Sequence, residues 1–211
     1  MEEALENTTP FLTLDAMVSD RLAGASSVIL SGDWKSFVDG DDDLRIRLVE
    51  QGVNNPDNRN EIPWDDANLF FISCVDTNAQ GRTSQLEAGI SNERFGRFPH
   101  GDGSVMTYLA DWIRPAAKNA QQFPELIELF EKLDHCMVGS TLENGVGGLQ
   151  MRGWLDISEV KRLRQCLTSR CWTPAADEPL DGGCQDAAKH LVAMLRAAEK
   201  RRCGVVLRVH T

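Results

Sequence analysis

Two segments of the chain space oxygen-bearing side chains as a hard divalent cation needs them. Starting at Asp39, carboxylates recur at Asp41, Asp43 and Glu50, which are positions 1, 3, 5 and 12 of one stretch, with the apolar Ile46 at position 8. Starting at Asp76, the side chains Asn78, Gln80, Ser84 and Glu87 stand at positions 3, 5, 9 and 12, and Gly81 at position 6. Calcium takes several carboxylate and carbonyl oxygens at once, so a loop that returns an oxygen at every second position and closes on a glutamate can wrap the ion. Position 6 favours Gly because the chain turns sharply there.

In these residues the segment 39–87 resembles an EF-hand pair, whose two loops are separated much as 39–50 and 76–87 are. The resemblance implies calcium held by Asp39, Asp41, Asp43 and Glu50 in the first loop, and by Asp76, Asn78, Gln80 and Glu87 in the second. The sequence departs from the pattern at Leu44, where a branched residue stands in place of Gly and disfavours positive φ. It departs again at Gln80, which is uncharged, and at Thr83, where an apolar residue belongs. The low charge of the second loop implies weak affinity. The plainer expectation for both segments is an acidic surface rich in loop-forming Asp, Asn and Gly, with no cofactor.

A second constellation is Gly182-Gly183-Cys184 ahead of a helical pattern. A thiol at a helix N-terminus is expected to have a lowered pKa, which favours the nucleophilic thiolate. His190 lies six residues on and nearly opposite around the helix, so a base would have to be His100, His135 or His210. The alternative is that Cys184 packs in the core and Asp181 caps the helix. Zinc is a third chemistry: Cys166, Cys171, Cys184, His190 and Cys203 all fall near the C-terminus, but only Cys166 and Cys171, with four residues between them at a helix end, approach the close pairs of structural zinc sites. The motifs GxSxG, GKS or GKT, and HExxH do not occur. Most of the five tryptophans are expected as core anchors, with Trp34 and Trp64, among acidic loop-like residues, as candidates for a binding surface or a lid over the core.

The charge balance narrows the partners. The net charge is −10, and residues 1–103 hold 8 Lys+Arg against 19 Asp+Glu. An acidic front half repels phosphate backbones and anionic lipid, so neither nucleic acid nor membrane is an expected partner. A protein with a basic surface is. No apolar run is long enough to cross a bilayer. Met1–Glu6 lacks the basic and apolar regions of a secretory signal, so the cytoplasm is the expected location and the six cysteines are expected to be reduced. Together these point to a non-enzymatic interaction protein of regulatory, inhibitory or immunity type, with calcium binding or Cys184-dependent catalysis as alternatives.

The elements that must position these residues are legible in part. Residues 1–10 read as an acidic, frayed tail and 11–211 as one globular domain, with an acidic half 11–103 and a helical half 104–211. Leu12, Leu14, Met17, Val18 and Leu22 suggest a helix ending at Gly24, followed by a β-like run over Ser27–Leu30. Residues 44–50 and 69–75, with Leu69–Ile72 as their apolar run, fit strand or helix equally. Residues 76–103 read as a long loop around a short helix near Ser84–Ile90. Helices are expected over Val105–Ala120, broken by Pro115, over Pro124–Met137, from Asp156 or Ser158 to about Cys171, and over Cys184–Arg202. Segments 139–153 and 172–183 read as loops, and Val205–Val209 as a closing strand. The fold class is α+β, a mainly helical single domain with a few short strands.

Overall fold

The computed structural model describes residues 11–78, 81–83, 86, 98–101 and 103–210. The fold is mixed α+β, mainly helical, built on a small four-stranded antiparallel sheet with a separate two-stranded pair. Strand β1 (Phe11–Met17) leads into helices α1 (Ser19–Ser31), α2 (Trp34–Asp39), α3 (Asp42–Glu50) and α4 (Asp66–Cys74). Helix α5 (Val105–Trp112) runs into β2 (Ile113–Pro115), then come α6 (Phe123–His135), β3 (Asn144–Gly145) and β4 (Leu149–Leu155). The chain closes with α7 (Ile157–Thr168), β5 (Trp172–Pro174), α8 (Gly183–Arg201) and β6 (Gly204–His210).

The sheet has the order β1-β6-β4-β3, so the last strand is inserted between the first and the fourth. Phe11 faces His210 and Met17 faces Gly204 across the β1–β6 ladder. Side chains alternate across a strand, and here the two sets serve two cores. Leu12, Leu14, Ala16, Val205, Leu207 and Leu155 point into a large core shared with α5, α6, α7 and α8. Met17, Val206 and Met151 point the other way, into a core shared with Leu22 and Ala25 of α1 and Ala67, Phe70 and Cys74 of α4. A third cluster lies further out: Trp34, Val38, Leu44, Leu48, Val53, Ile62 and Leu69 close α2 and α3 over α4. Burying each such large side chain stabilises the fold by about 1.5–3 kcal/mol.

Several expected elements change type. Residues 11–17 form a strand, and α1 begins two residues later and runs through Gly24 and Ser27–Leu30. Gly24 does not end the helix because it serves a close approach: a Cβ there would lie 2.8 Å from the ring of Phe37 on α2. Gly32 stops it instead, in the left-handed conformation at φ 90 with its N–H on the Val28 carbonyl. Both ambiguous segments, 44–50 and 69–75, are helical, the second as far as Cys74. The helix from Val105 gives way at Ile113 to β2, which pairs with β5 inside the expected 172–183 loop. Part of the glycine-rich 139–153 stretch is β3 and β4. The expected short helix near 84–90 lies, apart from Leu86, outside the described residues.

The C-terminal expectations agree closely with the structure. Helix α6 buries Leu126, Leu129, Phe130 and Leu133 on one face. Helix α7 starts on a capping box, with Asp156 accepting from the Glu159 N–H and Glu159 accepting from the Asp156 N–H. Helix α8 and β6 fall where the spacing put them. Among the described residues no helix is long and apolar enough to cross a membrane.

Candidate functional site

Helix α3 carries the first of the two candidate cation segments, and it determines what those acids can do. Asp41 is its N-cap and accepts from the Leu44 N–H at 2.9 Å. The same carboxylate takes two hydrogen bonds from the Arg21 guanidinium, at 2.6 and 2.8 Å. The Arg21 hydrogen bonds, opposed by partial burial, hold the Asp41 carboxyl below the ordinary carboxylate range. Asp39, at the end of α2, pairs with Arg45 at 2.6 Å. Asp43 and Glu50 lie seven residues apart on α3, about 10 Å along the axis at the helical rise. The structure therefore does not bring Asp39, Asp41, Asp43 and Glu50 around one point: two serve arginines and two stand apart on a helix.

The second segment is equally occupied where it is described. Asp76 pairs with Arg201 of α8 at 2.8 Å. Residues on either side of Gly81 pair with one another: Thr77 bridges Thr83, the Asn78 N–H donates to the Arg82 carbonyl, and the Asn78 side chain accepts from the Arg82 N–H. Gln80 and Glu87 lie outside the described residues. Among the described residues no group of three or more His, Cys, Asp or Glu is placed to hold a metal ion.

Cys184 sits at the start of α8, as its sequence suggests, but its surroundings work against a thiolate. The side chain is fully buried in the large core. Burial first, and then the Glu178 carboxylate beside it, push the thiol up to about 12. Glu178 serves the helix: its Oε1 accepts from the Cys184 N–H and, at 2.9 Å, from the Tyr108 hydroxyl. It supplies the acceptor that the N-cap, Gly182, has no side chain to offer, a task the sequence had suggested for Asp181. His100 packs edge-on against Tyr108, His135 stands beside Asp134, and His210 stacks on Phe11. Among the described residues none of the three is hydrogen-bonded to Cys184.

The other thiols of the expected zinc set are also core groups. Cys166, Cys171 and Cys203 are buried beside Cys184 in the large cluster. The Cys171 thiol donates to the Cys166 carbonyl and the Cys203 thiol to the Ala198 carbonyl, each closing the C-terminal turn of a helix. Trp34 is likewise an anchor: it is 1 % exposed and its indole N–H donates to the Pro56 carbonyl at 2.7 Å.

The outer face of α3 is open to a partner. At 100° per residue, Asp42, Asp43, Ile46, Val49 and Glu50 share about a third of the helix circumference, opposite the buried Leu44 and Leu48. Ile46 is 56 % and Val49 53 % exposed, unusual for large aliphatics standing three residues apart on one helix. The two arginines of α3 are drawn off the face. Arg45 leans to Asp39 and Asp57, each at 2.6 Å. Arg47 donates to the Ile72 and Val75 carbonyls at the end of α4 and to Thr77. Asp42, Asp43 and Glu50 are left without an ion pair among the described residues. This face was readable as acidic from the sequence. Its apolar component was not, because Leu44, Ile46 and Leu48 alternate in the sequence, and only the helix of α3 buries Leu44 and Leu48 while leaving Ile46 outside. Comparison of the chain with protein-family models, with curated proteins and with solved structures finds no match.

Proposed function

We propose that the chain is a non-enzymatic interaction protein, of regulatory or immunity type, which docks a partner of basic surface through the outer face of α3. The observation that carries the reading is the exposure of Ile46 and Val49 on one helix face beside Asp42, Asp43 and Glu50, which have no ion pair among the described residues. Apolar residues that lose water on docking supply affinity, and the flanking carboxylates supply orientation and a faster encounter. The two arginines of the helix are engaged elsewhere, so an incoming lysine or arginine meets no repulsion at the centre of the face. The partner that fits presents apolar residues flanked by Lys or Arg, for example on an amphipathic helix.

The test uses a short amphipathic helical peptide of Lys and Leu, titrated into the isotopically labelled full chain. The expected result is saturable amide shifts centred on residues 42–50, weakening as salt is raised. Replacing Asp42 and Asp43 by Asn and Glu50 by Gln is expected to weaken binding by roughly tenfold, and Ile46→Ser with Val49→Ser by a similar factor. Shifts spread evenly over the acidic surface, or binding untouched by both variants, would remove the proposal.

A further inference from the structure

Helix α8 presents a stripe of quite different character. Gln185, Lys189, Val192 and Arg196 follow one another at steps of four, three and four residues, which keeps them on one face of the helix. With Ala188 they form one wall of an open groove of about 450 Å³, whose other wall is Leu167 and Thr168 at the end of α7 and Trp172 on β5. The volume falls in the range of sites that take small molecules rather than whole protein elements.

The lining combines two features. Its floor is apolar: Leu167, Ala188, Val192 and the indole of Trp172. Trp172 is only half buried, and its N–H is already satisfied by the Leu167 carbonyl at 2.9 Å. The ring is thus held in place and offers the groove an apolar surface rather than a donor. The rim is cationic. Among the described residues, Lys189 and Arg196 line the groove and no Asp or Glu does, although the chain as a whole carries −10. Arg196 has no carboxylate partner among the described residues. Lys189 meets Asp186 at 3.1 Å, but both side chains are 72 % exposed, and such a pair exchanges readily with another anion. The Thr168 hydroxyl donates back to the Arg164 and Gln165 carbonyls, so its oxygen faces a ligand as an acceptor only.

From this juxtaposition we infer that the groove between α7, β5 and α8 binds a small organic monoanion, with an apolar, ring-bearing or branched body lying on Trp172 and Val192 and a carboxylate drawn to the rim that Lys189 and Arg196 make positive. A neutral analogue would fill the floor but leave the rim unpaired. A cationic analogue would be repelled at the same place. Positive charge concentrated on an apolar groove of an otherwise acidic protein would draw the carboxylate end to α8 and exclude amines of the same shape.

The test is a titration of the labelled full chain with 4-phenylbutyrate, set beside 4-phenylbutylamine. The carboxylate is expected to give saturable shifts at residues 167–172 and 185–196 with a Kd on the order of 1 mM, as suits a fragment-sized ligand. The amine is expected to bind at least about fivefold to tenfold more weakly, and Lys189→Gln with Arg196→Gln to weaken the carboxylate by a like factor. Both replaced side chains are exposed, so the melting temperature of the double variant should match the parent and exclude misfolding as the cause. Absence of saturable shifts, equal binding of amine and carboxylate, unchanged binding in the double variant, or response only to an acidic peptide would each overturn the inference.

Discussion

Asp41 performs two tasks that the sequence shows only as a carboxylate in an acidic run. It caps α3 and it neutralises Arg21, which is 7 % exposed and also donates to the Ser73 carbonyl at 3.4 Å. Removing its charge leaves a buried guanidinium without its counter-ion, so Asp41→Asn is expected to destabilise the protein by about 2–4 kcal/mol at neutral pH, measured by urea unfolding. The pH dependence follows from the direction of the shift. The folded carboxyl is held below its ordinary value, chiefly by the Arg21 hydrogen bonds. Its contribution is therefore complete above the unfolded value of about 3.9 and is lost as pH falls through the lower folded value. The gap between parent and variant should narrow below about pH 4. A gap that stays constant down to pH 2 would mean the charge is not what matters. The same residue shows why oxygen spacing alone misleads. The spacing of Asp39, Asp41 and Asp43 suits a cation loop, but which oxygens are free depends on arginines at positions 21 and 45, and Arg21 is brought there only by the fold. The helix-terminal position of Cys184 was legible in the same way. Its burial, set by distant segments, and the Glu178 carboxylate, folded back from six residues upstream, reversed the expected effect on the thiol.

At the scale of elements, what could be read was what is decided locally. Helices α6, α7 and α8 have long apolar stripes and clear caps or breakers, and their spans agree with the periodicity. Strand β1 was misread because Leu12, Leu14, Met17 and Leu22 satisfy a helical spacing while Leu12, Leu14 and Ala16 satisfy a strand. The decision belongs to β6, nearly the whole chain away. Strand β4 was hidden for a related reason, since Gly153 interrupts it. That glycine is required by packing. The ladder to β6 shifts register between Met151 and Gly153, where the end of α6 crosses so closely that a Cβ at 153 would collide with the Lys132 and Leu133 carbonyls. Backbone atoms at a helix end cannot step aside as a side chain can. Gly153→Ala is accordingly expected to cost about 2–3 kcal/mol or more, a fall in melting temperature of roughly 4–12 °C for a chain of this size. A variant melting within a degree of the parent would show that α6 can move away from β4 without cost.

At the scale of the whole molecule, the first described strand, β1, pairs with the last, β6, which lies in the interior of the sheet. Strand β6 is the only strand of the four-stranded sheet that pairs on one side with β1 and on the other with β4. It also joins the two cores: Val205 and Leu207 are fully buried in one and Val206 in the other. These three side chains alone represent about 5–9 kcal/mol of burial, comparable with the whole stability of a typical domain, before any ladder hydrogen bond is counted. Helices α1 and α4 are anchored to the sheet through Met17 and Val206, and α2 and α3 lie outside them over Leu69, so the candidate docking face on α3 depends on a strand near the far end of the chain. Deleting residues 204–211 is therefore expected to abolish cooperative thermal melting altogether rather than lower its midpoint. It is also expected to remove the protection of α1 and α4 amides against hydrogen exchange along with that of β4. Adding residues 204–211 back as a separate peptide should restore a concentration-dependent transition, because the strand is the missing template for both cores. If the shortened chain still melts sharply within a few degrees of the parent, the two cores are stable without the strand that joins them, and α3 is held by the outer clusters alone.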